Sequence, residues 1–467
     1  MDYLKKIFYL IPSNFINRII FLSFLLIASV FFELLGISLM LPTISIIAEG
    51  NFSIYENEFS QLSNYFEVSR TNFILSLLVL VFFIKTIFYL IFHWYQFSFA
   101  ASLNSTLATK LFNKYIYAKY DFYLKRNSSM LIRNVCGEAD VFVKKLLLPL
   151  IHLILDILII VGIITVLLLI EFKSVFIVAL VYILFGSIFL LLIKKKLKEI
   201  GEGHLLNSQK RILISQSAFQ GIKSIKIFLK EDIFLKYFKF FTNNNLLLTR
   251  SQAFLMSIPR HFFELLTVSL FALLTILFFN DVPSFGQMIP KLTLFAAAAV
   301  KLVPSVNKII INLQILRAGT ASLDNLYGEF KNLDKVETIN KDLREFNFKN
   351  TIKVENLSFS FENKYDIFKN INIDISKDSC IGIIGKTGVG KSTFLDIILG
   401  LIESQKGNVL IDKRNIKEDL RSWQNIIGYV PQEVFILDDT LKNNITLSFD
   451  QKIDEKSLND AMNIAQV

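Results

Sequence analysis

Long apolar stretches fill the first two thirds of the chain and give way to a mixed pattern near residue 348. A helix needs about 20 mainly apolar residues to cross the hydrocarbon core of a bilayer. Short β-branched runs alternate with helical stretches from residue 348 to 467, which predicts an α/β domain there, after a linker at 331–347. The first 330 residues contain six long apolar stretches, which predict six membrane-spanning helices at about 19–48, 73–98, 146–170, 175–193, 258–279 and 285–311.

The connections between these predicted spans alternate in charge. The segment 104–145 carries eight Lys or Arg residues against three acidic ones, 194–250 is also long and basic, and 49–72 is acidic. By the positive-inside rule, the basic connections and both termini lie in the cytoplasm. Because the basic segments keep helical periodicity, we expect the membrane helices to extend into the cytoplasm and to turn near Asn127–Ser129 and Gly221.

The composition favours a membrane protein over a nucleic-acid-binding one. Hydrophobic residues make up 53% of the chain, and 46 residues are Phe. The net charge of +10 could serve several anionic partners, but a cluster of lysines at 194–198 directly follows a predicted span, as cytoplasmic flanks do. We therefore expect a lipid bilayer and no nucleic acid as partners. Cys136 and Cys380 have no metal-ligand spacing and are expected to be free thiols.

A glycine-rich segment in the predicted α/β domain carries the clearest chemical signal. Residues 385–393 read GKTGVGKST and fit GxxxxGK[ST], the phosphate-binding loop. Cys380–Ile384 before it reads as a buried strand, and Thr393–Leu401 after it reads as a helix, which is the context that the motif requires. A chance glycine-rich turn is the alternative interpretation, and the intact order of strand, loop and helix weighs against it.

Each part of this motif has a use in binding ATP and Mg²⁺. Glycines let backbone N–H groups approach the phosphates, and the helix N-terminus adds a partial positive charge. Lys391 would reach the β- and γ-phosphate oxygens, and the Ser392 hydroxyl would bind Mg²⁺. The candidate cofactor-binding residues of the loop are Gly385, Lys386, Thr387, Gly388, Val389, Gly390, Lys391, Ser392 and Thr393.

The sequence around the loop resembles the ATPase domain of ABC transporters from about Ile352 to the last residue. Val354–Phe361 and Phe368–Ile373 resemble the opening strands of that domain. The resemblance implies that the ring of Phe361 stacks on adenine. An ordinary core phenylalanine is the alternative.

The segment Tyr429-Val430-Pro431-Gln432 resembles the Q-loop of the same family. The resemblance implies that Gln432 contacts Mg²⁺ and the attacking water, as the catalytic residue. The family continues with an LSGGQ-type signature, a catalytic glutamate and a switch histidine, which are not among the 467 residues. We therefore expect a truncated nucleotide-binding domain. A full-length family member is an ATPase and translocase, whereas this form is expected to bind nucleotide poorly and not to hydrolyse it.

Six spans with long cytoplasmic extensions and an ABC domain resemble the half-transporters of ABC exporters. The resemblance implies a homodimer, or a heterodimer with a second half-transporter, that alternates between inward- and outward-facing states. It also implies that Asn127–Cys136 and Gln216–Lys223 are the coupling helices that dock on the ATPase domains.

Short motifs resemble the bacterial lipid-linked oligosaccharide flippases among these exporters. The resemblance implies a lipid-linked anionic substrate and a place in a bacterial inner membrane, and it matches the acidic segment 51–66 to an external helix. The motifs are Glu33–Ser38 with Leu41 and Pro42, Gly221–Phe228, Pro259–Glu264 and Leu302–Asn307.

Ionisable residues inside the predicted spans are candidate sites, because each is costly in lipid. Lys301 and Lys308 share a helix face, and Lys291 lies roughly 80° from it. This basic face suits a pyrophosphate head group, and snorkelling of the lysines to water is the alternative. Two pairs spaced by four residues are interpreted first as structural, with cargo binding and proton transfer as the respective alternatives: Arg260 with Glu264, and His152 with Asp156.

Three functions stay open from the sequence. The first is an ATP-driven exporter or flippase of a lipid-linked glycan or another amphipathic anion. The second is an exporter of a peptide, a lipid or a drug with the same architecture. The third is a non-catalytic truncated membrane protein. The intact phosphate-binding loop favours the first two.

Overall fold

The computed structural model describes residues 2–49, 70–124, 126–168, 172–281, 285–334, 346, 348–361, 365–432, 434–448 and 453–466. These residues form two compact units, Met1–Thr338 and Ile339–Val467. Several predictions lie outside the described residues or side chains: the external helix at 51–66, most of the linker at 331–347, the side chains of Lys291 and Lys301, and the ring of Phe361.

Long helices make up the first unit. Four of them contain 47 to 51 residues, or about 70–77 Å at 1.5 Å per residue. This is more than twice the hydrocarbon thickness of about 30 Å, so they extend well beyond a bilayer. The helices are α1 (Asp2–Leu10), α2 (Ile16–Glu49), α3 (Arg70–Ile116), α4 (Asp121–Leu124), α5 (Ser128–Arg133), α6 (Ala139–Phe142), α7 (Leu148–Leu168), α8 (Phe172–Gln220), α9 (Ile222–Ile227), α10 (Glu231–Asp281) and α11 (Phe285–Leu333).

One of the two long helices α3 and α8 ends at its predicted turn, and the other ends before it. After α3 ends at Ile116, Asn127 caps α5, because its side-chain oxygen accepts a hydrogen bond of 3.0 Å from the backbone N–H of Ser129. After α8 ends at Gln220, Gly221 precedes the short helix α9. The turn at Gly221 is therefore confirmed, whereas α3 ends at Ile116, before the predicted turn at Asn127–Ser129, and Asn127 instead starts a short helix.

Five helices in the described part of the chain are long and apolar enough to cross a membrane. Each overlaps one of the first five predicted spans. The sixth predicted span, 285–311, is helical within α11, and most of its side chains lie outside the described set. The five candidate spans are Ser13–Gly36, Asn72–Ile116, Ser128–Leu168, Val175–Gln220 and Glu231–Leu273.

An apolar core joins α2, α3, α7 and α11 in the first unit. Phe92, Leu103, Ile163 and Leu323 are fully buried in it. The α8 and α11 backbones approach closely at Gly201, where a Cβ atom would lie 2.3 Å from the Ala318 carbonyl oxygen. Small residues allow membrane helices to pack at such short range.

The second unit is built on a four-stranded antiparallel sheet with the strand order β2-β1-β3-β4. Its core contains Val354, Leu357, Val409, Ile397 and Trp423. The opening strands are longer than the sequence predicts. The elements are β1 (Thr351–Phe361), β2 (Tyr365–Ser376), α12 (Lys391–Ile398), β3 (Lys406–Ile411), β4 (Arg414–Asn415), α13 (Leu420–Asn425), α14 (Leu441–Thr446) and α15 (Glu455–Ala465).

The strand predicted at Cys380–Ile384 is wrong in two respects. The segment has no regular secondary structure, and its side chains are exposed, Ile384 to 97%. The physical reason is the lack of a pairing partner. An extended segment becomes a strand only when its backbone N–H and C=O groups form hydrogen bonds with the backbone of a neighbouring strand. Within the described residues, the four strands pair only with one another. The following helix also begins at Lys391 rather than Thr393 and ends at Ile398, before Gly400 with φ +70°.

A carboxylate fixes the entry into β1. Asp412 accepts backbone hydrogen bonds from Lys349 at 2.5 Å, Asn350 at 2.8 Å and Thr351 at 2.8 Å. These hydrogen bonds, that of Lys349 first, lower the pKa of Asp412. A carboxyl group with a lowered pKa stabilises the folded state above its unfolded pKa of about 3.9, and this contribution is lost as the pH falls through the folded pKa.

Replacing Asp412 with asparagine is therefore expected to destabilise the second unit at neutral pH, because the charged acceptor of three N–H groups is lost. The chain has 2 Trp residues, and in a Trp94→Phe background the fluorescence of the buried Trp423 reports this unit. The denaturant midpoint should fall at pH 7, and the difference from the parent should narrow below about pH 4. Asp460→Asn, in the exposed α15, is the control. A difference that grows toward acid pH contradicts the assignment.

Candidate functional site

The phosphate-binding loop adopts a compact turn at the start of α12. Gly388 and Gly390 have φ +83° and +103°, a left-handed conformation that glycine adopts without strain. A Cβ atom at Gly390 would lie 2.4 Å from Ile367 Cγ2 and 3.0 Å from Phe368 Cζ. Glycine is therefore required at residue 390 both by the backbone angle and by the space.

The Lys391 ammonium group lies against the loop that precedes it. Its Nζ donates hydrogen bonds to the carbonyl oxygens of Gly385 at 2.7 Å and Lys386 at 3.1 Å. The first N–H groups of a helix have no intrahelical acceptors, and here they follow the turn directly. A cation and free N–H donors at one helix end fit a phosphate group, so these residues fit the nucleotide that the motif predicts.

Packing against the sheet positions α12 and hence the loop. Phe394 of α12 packs edge-to-face on Phe368 of β2, with ring centroids 5.9 Å apart. At the other end, Trp423 Nε1 donates to the Ile398 carbonyl at 2.9 Å and Gln424 Nε2 to the Leu399 carbonyl at 3.1 Å. These two bonds satisfy carbonyl groups that the helix end leaves unpaired.

A glutamine fixes the end of β1 next to Phe361. Gln405 Oε1 accepts hydrogen bonds from the backbone N–H of Ser360 at 3.0 Å and from its hydroxyl at 2.9 Å. Gln405 Nε2 donates to the Ser360 carbonyl at 2.8 Å. The backbone before Phe361 is therefore held in place, and the adenine-stacking role of that residue stays a prediction.

The predicted catalytic residue lies in a separate, irregular segment. Gln432 is exposed and follows α13. The segment after it is organised by Asn444, whose side chain hydrogen-bonds both the N–H and the carbonyl of Leu437, at 2.7 and 3.0 Å, and also bonds the carbonyl of Thr440 at 3.0 Å. The structure brings residues 385–393 together in one turn, and Gln432 lies in the exposed segment after α13.

Comparison with protein families decides the identity of both units. The family profile described as the ABC transporter transmembrane region matches residues 16–299, and the one described as ABC transporter matches residues 368–466. The first of these matches alone covers more than half of the chain. The chain belongs to the ABC transporter family. A membrane unit fused to an ATPase unit is the organisation of a half-transporter, which confirms the resemblance and the predicted fold class.

Individual relatives cover less of the chain. It is 32% identical over 169 residues to the ATP-dependent lipid A-core flippase of Francisella novicida, a match that covers 36% of this chain and 28% of the relative. It is 28% identical over 195 residues to the protein of the same name from Coxiella burnetii, covering 41% and 32% respectively. The matches thus span about a third of the length of these curated relatives or less.

A solved structure shows the same fold. The structure of a bacterial Atm1-family ABC exporter with ATP bound matches with a TM-score of 0.75 and 13% identity, covering 97% of this chain and 77% of that chain. At this identity the likeness establishes the exporter fold.

The ABC membrane unit contains a buried ion pair that sequence reasoning missed. Lys85 Nζ lies 2.6 Å from Glu33 Oε2, with side chains 11% and 8% exposed. The Tyr89 hydroxyl donates to the same carboxylate oxygen at 3.2 Å. Glu33 lies in the first candidate span, and Lys85 and Tyr89 lie in the second, so the pair joins α2 to α3 within the membrane.

Further polar groups lie inside the membrane helices beside this pair. Asp156 is buried, and Lys308 of α11 is close enough to interact electrostatically with it and with His152. The rings of His152 and His93 are 6.5 Å apart. Asp156 is 2% exposed, while the structural role of His152 with Asp156 stays a prediction. The Arg260–Glu264 pair is confirmed, at 3.4 Å and exposed.

A second buried polar cluster lies around the predicted coupling segment 127–136. Glu329 of α11 accepts hydrogen bonds from the Tyr115 hydroxyl at 3.0 Å and from Arg126 Nη1 at 2.5 Å. Asn134 Nδ2 donates to the Tyr115 hydroxyl at 3.0 Å, and Asn325 Nδ2 donates to Asn134 Oδ1 at 3.1 Å. The cluster therefore joins the predicted coupling segment to α3 and α11.

A π-helical turn at Asn134–Glu138 places Asn134 in this cluster. Such turns are rare and often lie at functional positions. Neither the turn nor the cluster has a signal in the sequence, because its members are scattered over more than 200 positions. Only the polar residues on otherwise apolar helix faces could have indicated it.

Proposed function

We propose that this chain is one subunit of a dimeric, ATP-driven transporter that flips a lipid-linked anionic glycan, or a similar amphipathic anion, across a bacterial inner membrane. The dimer is a homodimer or a heterodimer with a second half-transporter. The observation that carries the proposal is the group of charged side chains inside the membrane helices of a chain that also bears a phosphate-binding loop. A purely apolar cargo would not need these costly residues.

The nucleotide-binding unit supplies the energy in this proposal. Lys391 and the N–H groups at the start of α12 would bind the phosphates of ATP, with Gly388 and Gly390 giving the backbone its approach. The exposed Ser392 hydroxyl would bind Mg²⁺, and Gln432 would contact Mg²⁺ and the attacking water. When bound, Mg²⁺ supplies charge stabilisation on the phosphate oxygens.

The membrane unit supplies the cargo path. Lys308 is exposed on α11, while the charge of Asp156 lies near it, so an anionic head group would compete with Asp156 for the same cation. Lys301 extends this basic face along the helix in the sequence, and Lys291 lies roughly 80° from it. The names of the Francisella and Coxiella relatives, which describe lipid A-core flippases, support a lipid with an anionic head group as the substrate class.

The experiment is a flipping assay in vesicles with the chain assembled in an ATP-hydrolysing dimer and a fluorescent lipid whose sugar is attached through pyrophosphate. Lys308→Gln is expected to lower the initial ATP-dependent rate about tenfold, equivalent to about 1.4 kcal/mol, because a charge-assisted contact to the head group is lost. Lys308→Arg keeps the charge and should retain most of the rate. Lys198→Gln, which removes a lysine from the exposed part of α8, is the matched control.

Two results would count against the proposal. Flipping of a neutral lipid at the same rate, unaffected by Lys308→Gln, indicates an exporter of another substrate. Flipping that is independent of ATP and unchanged by Lys391→Ala indicates a membrane protein without catalytic function.

A further inference from the structure

An apolar cavity of about 390 Å³ opens inside the membrane unit, between α7, α8, α10 and α11. All of its lining residues lie in the predicted spans, at 160–167, 175–190, 267–271 and 302–310. It is separate from the ion pair of α2 and α3 and from the phosphate-binding loop. Three small residues of α8 leave the space that larger side chains would fill: Ala179, Gly186 and Ser187.

The lining is almost entirely hydrocarbon. Its polar residues are three hydroxyl-bearing side chains, and two of them satisfy each other, since the Tyr182 and Thr267 hydroxyl groups are hydrogen-bonded. Thr267 in turn donates to the Phe263 carbonyl at 2.6 Å. No charged side chain lines the cavity among the residues described around it. A cavity of this chemistry excludes water and accepts hydrocarbon.

The cavity has a mouth of exposed residues and a floor of buried ones. Val161, Ile183 and Phe271 line it and are 55%, 68% and 38% exposed, whereas Val175 and Ile310 are only 3% and 2% exposed. The exposed residues belong to helices that cross the membrane, so the mouth opens at the depth of the acyl region of the bilayer.

Volume decides between the possible occupants. An apolar cavity of about 150 Å³ holds benzene, so this one holds on the order of 12–16 carbon atoms. A helix with its side chains is about 10–12 Å across, and even a single turn would exceed this volume. A linear hydrocarbon chain fits both the size and the lateral opening, and the charged head group stays outside.

We propose that this cavity binds one acyl chain of a bilayer phospholipid, inserted sideways between α7, α8, α10 and α11. Recognition rests on the tail alone, because the lining offers no charged group to a head group. The small residues of α8 leave a space between the helices, and the bound acyl chain fills it. The filled space stabilises the contact between these four helices.

Photolabelling in vesicles tests the proposal. The full chain is reconstituted with a phospholipid that carries a diazirine at the end of one acyl chain, irradiated, and mapped by mass spectrometry. Label on the floor residues Leu167, Val175 and Ile310 is expected, because lipid around the outside of the helices cannot reach them. Label on the exposed Leu192 serves as the internal reference.

Filling the cavity gives the decisive comparison. Gly186→Leu is expected to lower the floor label at least fivefold relative to Leu192, and Ala179→Trp should do the same from another position of the lining. Gly186→Ala is the matched control, since the nearest atom to its Cβ would be 3.7 Å away. Leu184→Trp places bulk on α8 outside the cavity and should also leave the label unchanged. The helix content of each variant is checked by circular dichroism, and only variants that keep it are compared.

Zwitterionic and anionic phospholipids should label the floor within a factor of two of each other. An unlabelled floor in the parent protein, a floor label that survives both filling variants, or a tenfold preference for one head group would each overturn the proposal. None of these results depends on ATP or on flipping, so they are independent of the function proposed for the chain.

Discussion

Replacing Lys85 with methionine is expected to destabilise the membrane unit by about 3–5 kcal/mol, because the Glu33 carboxylate then stays buried without its partner. The two charged atoms are 2.6 Å apart, and both side chains are about nine-tenths buried. Lys85 also lies over the rings of Phe82 and Tyr89, at 5.0 and 5.9 Å from their centroids. Unfolding in mixed micelles with increasing dodecyl sulfate, followed by circular dichroism, measures the effect.

Two further variants distinguish the loss of the ion pair from the general effect of removing a lysine. The double variant Lys85→Met with Glu33→Leu should recover most of the stability, because replacing both buried charges with apolar groups is often close to neutral. Lys198 pairs with Glu202 at 3.7 Å with both side chains exposed, so Lys198→Met should change the stability by less than about 1 kcal/mol. Equal effects of the Lys85 and Lys198 variants would show that the buried pair has no special role.

Replacing Gly390 with alanine is expected to destabilise the second unit by about 2–5 kcal/mol. The left-handed backbone contributes about 1–2 kcal/mol, and the contact of 2.4 Å with Ile367 adds about 1–3 kcal/mol of overpacking. The loop must then shift, so labelling by azido-ATP should fall at least tenfold below that of the parent chain. The Trp423 fluorescence in the Trp94→Phe background measures the stability.

The same loop provides a graded set of controls. Gly388 has φ +83°, but a Cβ atom there would meet no other atom within 4 Å, so Gly388→Ala should cost only the backbone strain of about 1–2 kcal/mol. Gly382 has neither a positive φ nor a close neighbour, so Gly382→Ala should leave both stability and labelling unchanged. Equal losses of stability in the Gly390, Gly388 and Gly382 variants would falsify the explanation by steric overlap at Gly390.

The membrane unit illustrates what local patterns predict well. Apolar runs longer than a bilayer is thick leave few choices other than membrane helices, and the turn at Gly221 follows from a local breaker residue. The opening strands β1 and β2 were predicted from the resemblance to the ABC ATPase domain, and the structure pairs them with each other as antiparallel neighbours.

The segment Cys380–Ile384 shows a case in which the local sequence pattern predicts the wrong structure. Its composition is that of a buried strand, yet burial and strand pairing depend on what lies beside it, and neither is encoded within five residues. The same reason explains the missed partners of Glu33. Its motif was recognised, whereas Lys85 lies 52 positions further along the chain, and their contact exists only because α2 packs on α3.

The sequence by itself indicated the family, the phosphate-binding motif GKTGVGKST and the course of the membrane helices. Each of these is written in short stretches whose chemistry requires particular residue types at fixed spacing. Only the tertiary structure decided which charges are paired inside the membrane, which polar residues join the predicted coupling segment to α11, and where an apolar cavity opens between four helices. These features arise from contacts between distant parts of the chain, because burial and pairing are properties of packing and not of any single segment.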